Sequence, residues 1–377
     1  MLPPPHTVDD DAGLRALAVQ LAREPLLAVD TESNSLHAYR ERVCLIQIST
    51  RTADYIVDPL TIGDLSPLAP LFADPKIEKV FHAAEYDVMC LKRDYGFRFD
   101  TLFDTMIAAR VCGIKQIGLG NLLADLAGIQ MDKSHQRDNW GKRPLPQDSL
   151  AYAQMDTHYL PALRDHLTER LTTLNRMEMA QESFEDLCKS RPAQHNFDPE
   201  GYWKIAIAHK LSPRETAILR ELYLWRERVA EQRGLPPFKV LNDKTLVALA
   251  IDQPNNMNDV INTHGVGGSN GRRYGRELMR LIDKGRHSAS PPQPPLDPPA
   301  DPLQVEVYTA LRDWRKARAN ALDVESDVII ARDALWAISE QLPTTTDALK
   351  TIPGVGPWRL NEYGDDLLRI VRRFQNR

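Results

Sequence analysis

The chain has 377 residues, 42% apolar and 26% charged, with a net charge of −5, and that length calls for two or three globular domains rather than one core. No apolar run approaches the ~18 residues of a membrane-spanning helix, and the start Met1-Leu-Pro-Pro-Pro-His6 lacks the basic-then-apolar order of a secretory signal. The cysteines Cys44, Cys90, Cys112 and Cys188 form no Cys-x-x-Cys pair, so reduced thiols in a cytoplasmic protein are the expectation.

Leu26–Glu32 reads as a strand, followed by strands over Val43–Thr50 and Asp54–Val57, spaced closely enough for a meander. Asp64–Phe72 looks helical, Lys79–His82 is a fourth strand, and Glu85–Tyr95 a helix. Thr105–Val111, Leu119–Ala127 and a stretch from Asp148 to about Leu174 carry helical periodicity, with Asp148 as the expected N-cap. Strands in succession followed by strand and helix in alternation predict an α/β domain with a mixed sheet flanked by helices.

The second half repeats itself. At an offset of 89, Leu222, Trp225, Arg226 and Ala230 recur as Leu311, Trp314, Arg315 and Ala319. Pro254 recurs as Pro343, Gly265-Val266-Gly267 as Gly354-Val355-Gly356, and Tyr274-Gly275 as Tyr363-Gly364. One small all-helical domain used twice explains the shared register. The proline-rich stretch His287–Pro302 between the copies predicts an extended, semi-rigid linker. The domains are therefore expected at 1–200, 208–286 and 303–377, with a linker at 287–302. Charge follows this division: 21 Lys+Arg stand against 30 Asp+Glu in 1–200, but 15 against 9 in 201–290. An acidic region followed by a basic module is compatible with an enzyme acting on nucleic acid.

Four acids and a tyrosine carry the chemistry. Asp30 and Glu32 are two apart on a strand and leave the same face. Tyr152 and Asp156 are four apart on a helix and also share a face. Asp87 follows the Lys79–His82 strand. Acids at the ends of core strands are costly unless a cation meets them. Hard oxygen donors suit magnesium or manganese, and two such ions suit phosphodiester cleavage.

In this order and context the motifs resemble the DEDD superfamily of 3′-to-5′ exonucleases. Val29-Asp30-Thr31-Glu32, Phe81-His82-Ala83-Ala84-Glu85-Tyr86-Asp87 and Tyr152-Ala-Gln-Met-Asp156 match its three motifs. The tyrosine four residues before the last aspartate marks the tyrosine subtype. The stretch from Asp132 to Leu145 narrows the resemblance to the ribonuclease D family, and the repeats resemble the HRDC module. The resemblance implies a ribonuclease-H-like fold and removal of nucleoside 5′-monophosphates from single-stranded RNA 3′ ends, with tRNA precursors the family's usual substrate. Asp30, Glu32, Asp87 and Asp156 would bind two Mg²⁺ or Mn²⁺ ions and Tyr152 would orient the attacking water. By position Leu36, His82 and Lys133 would contact the terminal nucleotide, with packing the alternative for Leu36. Trp140 stacks on a base or fills a core. A DNA exonuclease of the same fold and a scaffold without catalysis are the competing expectations.

Each repeat has a glycine turn before a helix, at Gly265–Gly267 and Gly354–Gly356, and neither carries the Gly-Lys-Ser/Thr of a triphosphate-binding loop. Only the first copy adds Arg272, Arg273, Arg276 and Arg280 at helical spacing. It is expected to bind RNA through Arg272 and Arg273, while the second turn is expected only to terminate a helix.

Overall fold

The computed structural model describes residues 2–132, 134–192, 196–205, 208–295 and 301–375. These form two compact units: residues 1–33, 43–193 and 299–377 in one, 34–42 and 194–298 in the other.

The first unit is built on a six-stranded sheet: β1 (His6–Val8), β2 (Leu26–Ser33), β3 (Val43–Ser49), β4 (Asp54–Val57), β5 (Glu78–Phe81) and β6 (Leu102–Asp104), in the order β1-β4-β3-β2-β5-β6. β2, β3 and β4 pair antiparallel as a meander, while β1, β5 and β6 join parallel to β4, β2 and β5. The sheet is mixed, as the spacing of the early strands implies. Its helices are α1 (Asp11–Leu21), α2 (Ala69–Ala73), α3 (Glu85–Tyr95), α4 (Thr105–Val111), α5 (Leu119–Ala127), α6 (Gln147–His158), α7 (Leu160–Thr173) and α8 (Met177–Lys189).

Proline accounts for the differences from the expected helices. Within Asp64–Phe72, Pro67 and Pro70 reduce the run to a 3₁₀ turn and the short α2. The long helix expected from Asp148 is two, because Pro161 opens α7 and cannot donate a backbone hydrogen bond across the break. Asp148 is not the N-cap of α6: Pro146 holds that position, and Asp148 sits in the first turn, where negative charge meets the helix dipole.

Residues 301–375 form the second helical repeat inside this same unit. Its helix Pro302–Leu322, together with Val328, Leu335, Leu349, Tyr363 and Leu367, joins the hydrophobic cluster that contains the sheet residues Val29, Ile46 and Val80. The last helix, Pro357–Gln375, packs against α8. Glu182 of α8 is 5% exposed and accepts hydrogen bonds from Trp358 N (2.6 Å), Arg359 N (3.3 Å) and Arg359 Nη1 (2.6 Å). A Cβ on Gly356 would come within 2.3 Å of that carboxyl carbon, so only glycine permits the approach.

The second unit is the first helical repeat plus 34–42. Its long helices are Pro213–Arg233 and Gly267–His287, and its core holds Leu222, Trp225, Leu246 and Leu278. A capping box between Ser212 and Glu215 starts the first of these helices. Within this unit the 34–42 segment is held by Tyr39, whose N–H donates to Gly234 O (3.1 Å) and whose hydroxyl donates to Glu227 (2.5 Å).

The repeat persists in the geometry. Trp225 meets Tyr274 edge-on at 5.2 Å, and Trp314 meets Tyr363 edge-on at 5.4 Å. Arg226 Nη1 donates to Leu241 O at 3.0 Å, and Arg315 Nη1 to Ile330 O at 3.1 Å, again 89 residues on. Of the expected linker, 296–300 lie outside the described residues, and 288–295 form no helix or strand.

Candidate active site

β2 carries the first two acids. Asp30 pairs with Gln47 and Glu32 with Leu45 across the β2–β3 ladder, so both side chains leave one face. The register shifts between Glu32 and Ser33, a bulge that ends regular pairing beside the acids. Thr31, between them, gives its N–H (3.1 Å) and its hydroxyl to Asp87 Oδ1. Asp87 in the first turn of α3 is thereby drawn to the end of β2 and is buried there.

α6 crosses the sheet and brings Tyr152 and Asp156. Polar anchors fix it: Gln154 Nε2 donates to Asp54 Oδ2 (2.6 Å), His158 Nδ1 lies 2.8 Å from that oxygen, and Ser49 and Thr157 share a hydroxyl hydrogen bond of 2.7 Å. Between α6 and the sheet a small apolar cluster of Cys44, Leu45, Ile56, Trp140 and Ala153 supports Tyr152. Trp140 is 1% exposed and belongs to this cluster; it fills a core and offers no face for a base.

One cleft of about 370 Å³ is lined by Asp30, Glu32, His82, Tyr86, Asp87, Tyr152 and Asp156, with Leu119, Met131 and Asp132 among the remaining walls. Carboxylate oxygens of Asp30, Glu32 and Asp156 lie within 4.8 Å of one another, a set that could hold a metal ion. No lysine or arginine stands among the described residues of the lining.

The electrostatics follow from that arrangement. Burial, then repulsion from Asp87, Asp156 and Glu32, holds Asp30 well above the usual carboxylate range. Burial and the charges of Asp156, Asp87 and Asp138 push Glu32 up to about 9. Burial raises Asp87 to about 7 against the hydrogen bonds from Thr31, and Asp156 to about 7 against one from Tyr152. The cluster resists carrying its full negative charge unless cations compensate it. Burial and the neighbouring acids also raise the Tyr152 phenol, which stays protonated throughout the neutral range.

His82 is held neutral, its pKa lowered by burial to about 4. Its Nδ1 is 2.9 Å from Thr105 Oγ1, whose own hydrogen goes to Phe81 O at 3.0 Å. Nδ1 therefore carries the proton and Nε2 is left as an acceptor.

Two supporting residues escaped the sequence reading. Thr31 sits between the two acids, lines the same cleft and holds Asp87. Asp104 accepts hydrogen bonds from the N–H groups of Ala83, Ala84, Met106 and Ile107 at 2.7–3.2 Å. It caps α4 and holds Ala83 at a left-handed φ of 60°, the turn that carries the chain from His82 into α3. Burial pushes its carboxyl up against the pull of those donors. The signal available was Leu102-Phe103-Asp104-Thr105, an apolar pair ending in an acid before a helix, the same pattern that drew attention to Asp30.

Lys133 is outside the described residues. Leu36 belongs to the second compact unit and is 40% exposed. Arg272, Arg273, Arg276 and Arg280 are exposed on the helix Gly267–His287 of that unit.

Residues 5–172 match the family model for a 3′-5′ exonuclease, and residues 215–282 and 304–371 each match that for the HRDC domain. The chain is 30% identical to ribonuclease D of Acidiphilium cryptum, over 98% of this chain and 93% of that one. It is 31% identical to the exosome complex exonuclease RRP6 of Saccharomyces cerevisiae, over 81% of this chain and 44% of that one. Among solved structures it resembles Escherichia coli RNase D, described as an exoribonuclease involved in structured RNA processing, with a TM-score of 0.68, 25% identity and coverage of 98% and 99%.

Proposed function

Because the chain belongs to the ribonuclease D family of 3′–5′ exoribonucleases, we propose that its cleft hydrolyses the terminal phosphodiester of single-stranded RNA and releases nucleoside 5′-monophosphates with the help of two divalent cations. The observation that carries this reading is the convergence of Asp30, Glu32 and Asp156 within 4.8 Å, beside Asp87. An all-oxygen donor set of this charge fits Mg²⁺ or Mn²⁺ and fits softer metals poorly. When bound, such ions supply a water that loses its proton near neutral pH and positive charge for the departing 3′ oxygen.

The side chains do the rest. Asp30, Glu32, Asp87 and Asp156 would hold the cations, and Thr31 keeps Asp87 turned toward the end of β2. Tyr152, protonated at neutral pH, orients the attacking water as a hydrogen-bonding group rather than as a base. His82, neutral and with Nε2 as acceptor, suits a hydroxyl of the terminal ribose. In the first HRDC repeat the exposed Arg272 and Arg273 suit phosphate contacts upstream of the end. Precursors of tRNA are the substrate this reading favours, in the cytoplasm and by a monomer. No helix of the described residues is long and apolar enough to cross a membrane.

The test is incubation of the full chain with 5′-labelled single-stranded RNA and matched DNA, in Mg²⁺, Mn²⁺ or chelator. A ladder shortening from the 3′ end of RNA, releasing 5′-monophosphates and stopped by chelator, is expected. Equal digestion of DNA would favour the deoxyribonuclease reading, and binding without digestion a scaffold.

A further inference from the structure

A nucleotide entering this cleft brings a charged phosphate and an uncharged base. The carboxylates account for the phosphate, through the cations they would hold. The base needs a neutral surface, and one aromatic residue of the lining presents itself to solvent. Tyr86 is 44% exposed and lines the same cleft as Asp30, Glu32 and Asp156.

Two details tie the ring to the chemistry. Tyr86 directly precedes Asp87 in the first turn of α3. Its hydroxyl lies 3.0 Å from Ser33 Oγ, and Ser33 directly follows Glu32 where the β2–β3 register shifts. The ring is thus braced at both ends by neighbours of the proposed metal ligands. Trp140, the aromatic that the sequence offers for stacking, is closed off in the core, and Tyr152 sits on the same apolar cluster with its ring 6.2 Å from Trp140.

We infer that Tyr86 is the stacking platform for the base of the 3′-terminal nucleotide. The inference rests on the exonuclease reading of this cleft. Stacking is tolerant of sequence because every base has a π face. That suits an enzyme that must remove whichever nucleotide stands last. Tyr86 would add affinity for the end without base preference, and the Ser33 contact would set the plane of the ring.

The experiment compares the full-length wild type, Tyr86→Ala and Tyr86→Phe on two RNAs in Mg²⁺. The RNAs are identical except that one ends in an abasic ribose. With the ordinary end, Tyr86→Ala should lower kcat/KM by about 10- to 100-fold, with the loss in KM rather than kcat. Tyr86→Phe should recover most of it. With the abasic end the wild type should lose a similar factor, and the deficit of Tyr86→Ala relative to wild type should vanish. An equal deficit on both ends would overturn the stacking role and leave Tyr86 a structural residue; no deficit on either would also overturn it. A wild type that degrades neither RNA would instead sink the exonuclease reading itself.

Discussion

Asp156→Asn separates electrostatic cost from catalytic use within one side chain. In the metal-free protein the folded state holds Asp156 at about 7 against an ordinary 3.8. A raised folded value means that the native state keeps a proton the unfolded chain has released. Its stabilising effect is therefore complete at low pH and is lost as pH rises through the window from about 4 to 7. A shift of ~3 units corresponds to about 4 kcal/mol. The four acids share protons, so removing one charge relieves its neighbours and the recoverable part is roughly half, about 2 kcal/mol at pH 8. Asparagine keeps the shape and removes the charge. In chelator at pH 8 the variant should melt about 4–8 °C above wild type, and at pH 4 the two should coincide. In Mg²⁺ the order should reverse, because wild type gains from bound cations and the variant loses a ligand. Turnover should fall to background while RNA binding remains. Thermal unfolding at the two pH values, with and without Mg²⁺, reads all of this. A variant no more stable than wild type at pH 8 in chelator would refute the claim that these acids are held at an electrostatic cost awaiting cations.

Tyr152→Phe should reduce kcat about 10²-fold with RNA affinity intact; since the phenol is protonated throughout, the alkaline limb of the rate profile should stay where it is, and a moved limb would reassign Tyr152 as a base. Asp104→Ala should cost about 3 kcal/mol, because four backbone N–H groups, that of Ala84 buried and the others half-buried, lose their acceptor, and should lower kcat through the Ala83 turn; urea unfolding with activity measured on the folded fraction checks both. Glu182→Ala strands Arg359 in the interior, at about 3–5 kcal/mol, and should make residues 299–377 the first segment cut in limited proteolysis. Charge reversal of Arg272 and Arg273 together should weaken RNA binding and flatten its dependence on salt by about 2 in slope, and an unchanged slope would remove the first HRDC repeat from the RNA path.

The parts of the fold legible in sequence are those where apolar period and local chemistry agree. Asp54–Val57, Glu85–Tyr95, Thr105–Val111 and Leu119–Ala127 stand at the expected bounds, because alternation or a 3.6-residue stripe runs directly into a cap or a turn. Asp30 and Glu32 stand out for a different reason: a carboxylate ending a buried strand departs from the ordinary pattern of such strands. The edge strands His6–Val8 and Leu102–Asp104 were not visible. Three residues cannot show a period, and their pairing is fixed by β4 and β5 rather than by their own sequence. Nor could Thr31 announce itself, since its work depends on Asp87 arriving from 56 residues away.

The two HRDC repeats show how one sequence pattern supports two physical uses. Their scaffolds agree down to backbone angles: Gln253 and Leu342 both take a left-handed φ, 44° and 46°, and Gly265 and Gly354 share 84°. They part at the glycine that opens the last helix. A Cβ on Gly267 would meet nothing within 4 Å, whereas one on Gly356 would strike the Glu182 carboxyl. A helix N-terminus is an anion site, and in the second copy an internal carboxylate accepts the N–H groups of Trp358 and Arg359 that a phosphate would otherwise take. Arg359 completes the pair, so the charge is balanced inside the unit. The expectation that this second turn serves structure thus acquires a cause: its anion is built in, supplied by the exonuclease domain. The first copy has no such carboxylate against Gly267 among the described residues and carries four exposed arginines on the helix that follows. The module keeps its fold in both copies, while one carboxylate on α8 separates a repeat whose turn is filled from within its own unit from a repeat whose turn meets no such group among the described residues.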